Sequence, residues 1–101
     1  MEYQPHPIDL AQVTLSPSLT NDLERIAQNI HEVWAQERKM RGWEYGRLYD
    51  EKKKTHPCLI AYGDLPELEK DMDRATVTQT IKMLLWMGYS IEKNGGIQND
   101  L

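Results

Sequence analysis

His31-Glu32 lies in a run with helical spacing, and a histidine followed by a glutamate is half of a zinc-protease signature. That signature needs a second histidine one turn on, so that two imidazoles reach one metal. The position is Ala35, so the motif is incomplete. His6 and His56 lie in extended, proline-containing stretches, and with a single cysteine they lack ligand spacing. No metal site is expected. His56 and Cys58 stand two apart on an extended chain and point the same way, yet nothing marks an orienting third group or an oxyanion hole. A small buried thiol beside a hydrogen-bonded histidine is the expectation. Gly42 and Gly46 lack the preceding strand and the Gly-Lys-Ser/Thr of a phosphate loop. Glu67, Glu69, Asp71 and Asp73 crowd one acidic stretch, with no pair singled out for acid–base work. No catalytic residue and no cofactor are expected.

Binding chemistry remains. Arg38, Lys39, Arg41, Arg47, Lys52, Lys53 and Lys54 form a basic stretch interrupted by Glu44, Asp50 and Glu51. Asp64, Glu67, Glu69, Asp71 and Asp73 then make an acidic one, relieved only by Lys70. These read as two solvated faces or a mutually attracting pair of segments, or, for the first, as an anion-binding patch. Trp43, Tyr45, His56 and Tyr62 are expected near one concave surface, with Arg38, Arg47, Lys54 or Arg74 at its edge. Gly42 and Gly46 let the chain turn at both ends of Trp43–Tyr45, and 54–62 must run extended nearby to bury Leu59 and Ile60. Aromatic faces stack planar rings, while guanidinium and ammonium groups neutralise phosphate. The same four residues could instead close on one another as a core corner with no cavity.

The elements that position these residues follow from punctuation and period. Residues 1–15 hold Pro5 and Pro7 and read as an extended arm packed on the domain, with a short strand at Gln12–Leu15. Ser16-Pro17 is an N-cap with proline at the first helical position, Thr20 being a rival cap. Leu19, Leu23, Ile26, Ala27, Ile30, Val33 and Trp34 make one helical stripe, run to Arg41 with Gly42 as terminator. Trp34 should end that stripe against Leu84 or Leu85. Trp43–Gly46 reads as a short strand, Leu48–Lys54 as a surface loop, and 58–62 as a buried apolar segment. Asp64 caps a short helix over Glu67–Lys70, a third helix starts near Asp73 and closes at Gly88, and Tyr89–Ile91 reads as a last strand. The domain then spans 16–93, with a flexible tail over 94–101.

The fold class is therefore mainly α: one small domain with two long helices, a short helix and a few short strands or extended segments. At 101 residues the chain can bury about two-thirds of its extended surface, enough for one core. Its net charge of −4 argues against binding nucleic acid with the whole surface. The longest apolar run, Met83–Met87, is far short of the roughly 20 residues of a membrane span. The opening residues have no basic or apolar region of a signal peptide. A lone Cys58 fits a reducing compartment. A cytoplasmic location, with no membrane partner, is expected.

The ordered pattern of the chain also resembles a known family. Tyr3-x-Pro5-x-Pro7-Ile8-Asp9 is followed by Asn29-x-His31-Glu32-x-Trp34-Ala35 and Gly42-Trp43-x-Tyr45-Gly46. Asp50, Lys54-x-His56-Pro57-x-Leu59-x-x-Tyr62, Leu65-Pro66, Glu69-Lys70, Asp73-Arg74, Thr80-x-Lys82 and Gly88-Tyr89-x-Ile91 continue it. Over about residues 3–93 this resembles the ryanodine receptor repeat, the RyR domain. The resemblance implies a non-enzymatic binding module. In the calcium-release channels such repeats occur in pairs outside the pore, and free-standing copies occur in bacteria and phages. This chain has one copy, and so lacks the phosphorylated segment between paired repeats. It also has Ala61-Tyr62-Gly63 where the family more often places proline and an acidic residue. Within the pattern, His31, Asp50, His56, Glu69, Asp73 and Arg74 are expected to make structural hydrogen bonds. From the aromatic and basic residues, the expected partner is a small anionic, nucleotide-like ligand or, alternatively, a second copy or another protein.

Overall fold

Two local signals set the first helix. Ser16 has extended backbone and its hydroxyl accepts from the Leu19 amide at 3.3 Å, while Pro17, with no N–H to satisfy, opens α1 (Pro17–Met40). Thr20 is inside the helix, donating its hydroxyl to the Ser16 carbonyl. At the other end Gly42 adopts φ +90°, which glycine reaches without a Cβ penalty, and the Trp43 amide turns back to the Arg38 carbonyl at 3.0 Å. The structure is a computed structural model that describes residues 2–95.

The chain then makes a compact knot. β1 (Glu44–Tyr45) and β2 (Thr55–His56) pair in parallel, Glu44 opposite Thr55 and Tyr45 opposite His56. Between them the Asp50 carboxylate accepts from the amides of Lys52 and Lys53, both at 3.0 Å, and Asp50 bridges to Thr55. The Thr55 hydroxyl donates to the Leu48 carbonyl at 2.9 Å. Gly46 lies so close to Thr55 that a Cβ on it would meet the Thr55 Cβ at 2.6 Å. A 3-10 turn over Tyr62–Asp64 leads into α2 (Glu67–Trp86), which Pro66 caps. Gly88, at φ +103°, ends α2: its amide bonds the Leu85 carbonyl and the Tyr89 amide bonds the Leu84 carbonyl.

Several expectations need correction. The short helix over Glu67–Lys70 and the helix from Asp73 are one continuous α2, so Asp64 ends the 3-10 turn and caps no helix. No glycine or proline interrupts 70–73, and Arg74 bonds Asp71 at 2.8 Å and Glu67 at 3.0 Å across the expected break. Gln12–Leu15 forms no strand. The Asp9 carboxylate accepts from the Ala11 amide and the Val13 amide reaches the Leu10 carbonyl, which makes a turn. Tyr89–Ile91 also pairs with no strand. Of the tail expected over 94–101, residues 96–101 lie outside the described residues.

Ala27, Tyr62, Leu65 and Val77 form the core, with Leu23, Ile30, Cys58, Ile60 and Ile81 packed on it. Leu10 is buried as well and lies with Met83 and Leu84 of α2. Ile26 and Val33 face out, while His31, 4% exposed, takes an inner place on α1. Trp34 does not reach Leu84 or Leu85. The connection returns the chain so that the start of α2 lies beside the end of α1, and Trp34 faces Glu69, Met72 and Asp73. None of the helices among the described residues is long and apolar enough to cross a membrane.

Candidate functional site

Steps of three and four along α1 place His31, Trp34 and Arg38 on one side of the helix. The His31 and Trp34 rings stack with centroids 5.6 Å apart at 29°. The Arg38 guanidinium carbon lies 5.5 Å from the Trp34 ring centre and 4.7 Å from that of Trp43. Trp43 in turn stacks on Tyr49 at 5.6 Å and 27°. The result is a ladder, His31–Trp34–Arg38–Trp43–Tyr49, in which one planar cation serves two indoles. His56 from β2 closes its flank edge-on, 4.9 Å from Trp34, 6.4 Å from Trp43 and 5.5 Å from Tyr49.

Hydrogen bonds fix both imidazoles. His31 Nε2 donates to the Ile60 carbonyl at 2.7 Å. His56 Nδ1 accepts from the Cys58 amide at 3.0 Å, which puts the neutral ring's proton on Nε2. Burial, and then the Arg38 charge, hold the His56 pKa below the ordinary histidine value. Burial also pushes the Cys58 thiol up, away from the reactive thiolate.

Beside the ladder is a cleft of about 240 Å³. Trp34, His31, His56 and Cys58 wall one side, and Glu69, Met72 and Asp73 of α2 the other. The Asp73 carboxyl sits above its usual pKa, chiefly through burial, with a smaller push from Glu69. The cleft thus joins aromatic edges to two carboxylates one helical turn apart, which suits a planar ring that donates N–H groups.

A second network lies around the core. The Tyr62 hydroxyl donates to Glu24, and Arg74 clamps Glu24, Glu67 and Asp71 at 2.8–3.2 Å. Burial and the Glu24 bond push the Tyr62 phenol up to about 12. Glu24 is held below its usual range by the Tyr62 hydrogen bond first and Arg74 second.

Of the eight residues expected at one concave surface, three come together: Arg38, Trp43 and His56. Tyr62 lies against His31, ring centroids 6.1 Å apart, but its hydroxyl and Arg74 both go to Glu24, two turns before His31 on the same face of α1. Lys54 donates its ammonium to the Arg41 carbonyl at 3.0 Å, capping α1. Tyr45 and Arg47 are solvent-exposed on the knot. Only His56 of the eight lines the cleft. Trp34, in the cleft wall, and Tyr49, at the end of the ladder, lie outside the expected eight. The four-residue step from Trp34 to Arg38 is a signal that could have found Trp34, whereas nothing local distinguishes Tyr49 from its polar loop. Among the described residues no group of three His, Cys, Asp or Glu could hold a metal ion. A family model described as the RyR domain matches residues 3–93.

Proposed function

This chain belongs to the RyR domain family, and from that premise we propose that it is a non-enzymatic binding module that takes a small nucleotide-like ligand at the cleft beside the ladder. The observation that supports this reading is the pairing of Trp34 and His56 on one wall with Glu69 and Asp73 on the other. Aromatic walls with a few convergent polar groups are what a small-molecule site needs. About 240 Å³ falls below the roughly 300–1,000 Å³ of pockets that enclose whole ligands, so a ring enters and its substituents stay outside. Ring N–H groups would meet the carboxylates of Glu69 and Asp73. An anionic substituent would find Arg38, which lies over the Trp34 ring.

Thermal melts with AMP, ADP, GMP, GDP and a cyclic dinucleotide, against inorganic pyrophosphate, test it. At a hundredfold excess over Kd a ligand adds about 2.7 kcal/mol of stability. The expected result is a rise in Tm with at least one base-bearing probe, none with pyrophosphate, and a weaker response in Asp73→Asn. No rise with any nucleotide at millimolar concentration removes the reading. A second reading, contact with another protein, is favoured by the exposure of Met40, Leu48, Leu68 and Met72, each between 68% and 79%.

A further inference from the structure

Three of those apolar residues lie in opposite electrostatic surroundings. Leu48 lies on the knot together with the exposed Tyr45 and Tyr49, while Met40 lines a separate groove with Leu59, Ile60 and Ala61. The exposed basic groups of the knot, Arg47, Lys52, Lys53 and Lys54, outnumber its exposed carboxylates, Glu44 and Glu51, while Arg41 pairs with Glu37 at 4.0 Å. Leu68 and Met72, one turn apart on α2, are flanked by the exposed carboxylates of Asp64 and Glu69. Arg74 has already drawn Glu67 and Asp71 into its own clamp, and the side chains of Asp64 and Glu69 are in none of the ion pairs among the described residues. The two faces are neighbours across the cleft: His56 touches Tyr49 on the knot side and lines the same cleft as Glu69 and Met72.

We propose that the occupant of these faces is a second copy of this chain, turned about a two-fold axis near the cleft so that each basic knot covers the other copy's α2 start. Two complementary faces side by side on one molecule meet their partners twice under a two-fold rotation, which closes the assembly as a dimer and leaves no free face to propagate. Apolar contact between Leu48 and the Leu68/Met72 pair supplies affinity, and the charges set register and encounter rate. A uniformly anionic surface such as a membrane or a nucleic acid fits less well, because it has nothing to offer the acidic face and would be repelled by it. The inference goes beyond the ligand reading and does not depend on it.

Sedimentation velocity of the whole chain at about 0.02 and 1 M salt reads the contact, since screening shortens to about 3 Å at 1 M. A dimer at low salt that weakens at least tenfold at high salt is expected. Lys52→Glu/Lys53→Glu and Asp64→Lys/Glu69→Lys should each sediment as monomers, and an equimolar mixture of the two should recover the dimer. All four positions are exposed, and unchanged melting curves check that the variants fold. Leu48→Ser gives an independent arm and should also be monomeric. A wild-type monomer at high concentration in low salt overturns the proposal. So does a dimer that survives both reversals, or monomeric variants whose mixture stays monomeric.

Discussion

His56 illustrates how much a single side chain is asked to do. Its Nδ1 is spent as an acceptor, and its ring touches Trp34, Trp43 and Tyr49. Protonation would turn that acceptor into a donor facing the Cys58 amide, and would place a cation near Arg38. The folded pKa lies below 6.5, so the unfolded chain binds more protons beneath that value. The contribution of His56 is therefore complete above pH 6.5 and declines as pH falls through its folded pKa. Urea unfolding between pH 7.5 and 5 should show this decline, and His56→Asn, which keeps an acceptor without titrating there, should flatten it. Tyr62 is the opposite case. Its phenol stays protonated to about 12 and titrates near 10 when unfolded, so between pH 5 and 7.5 it contributes no pH dependence. Tyr62→Phe should cost about 1 kcal/mol, the usual net worth of one hydrogen bond, with no change in the profile between pH 5 and 7.5.

At the scale of elements, the knot between the helices depends on close approach. Gly46→Ala would drive a methyl into Thr55 and should cost about 1–3 kcal/mol or more by overpacking, with exchange of the Gly46 and Glu44 amides as the local readout. Gly63→Ala, where a Cβ would meet nothing within 4 Å, should be neutral or slightly stabilising, and equilibrium unfolding of both variants checks the contrast. Trp34→Ala should cost about 2–3 kcal/mol, near or below the low end for buried aromatics because the ring is only half-buried. The elements legible in the sequence were those whose ends are written locally. Ser16-Pro17, Gly42 and Gly88 mark their termini by cap chemistry and positive φ. The continuity of α2 was not legible, because acidic residues from 67 to 73 resemble a break until Arg74 is placed among them. The site was legible in part for the same reason. Arg38, Trp43 and His56 meet through the short connection, whereas Tyr62 and Arg74 answer to Glu24, 38 and 50 residues away.

Across the whole molecule the buried interior is thin, and two helices share it with an arm and a knot. The arm is fastened mainly at Leu10, 6% exposed, while Tyr3 is 84% exposed. Leu10→Ala should cost about 2–3 kcal/mol and lower the Tm by roughly 10 °C or more, as expected for a domain of this size. The three tryptophans are not equivalent either. Trp34 and Trp43 are locked into the ladder, while Trp86 is 54% exposed at the far end of α2. Rigid stacked indoles dominate circular dichroism in the near ultraviolet, and an indole in water dominates the red edge of the fluorescence spectrum. One sample therefore carries two optical reporters at opposite ends of its helices. Arg38→Ala would collapse the dichroic band and leave the red-edge emission in place, so loosening of the ladder can be watched separately from melting of α2.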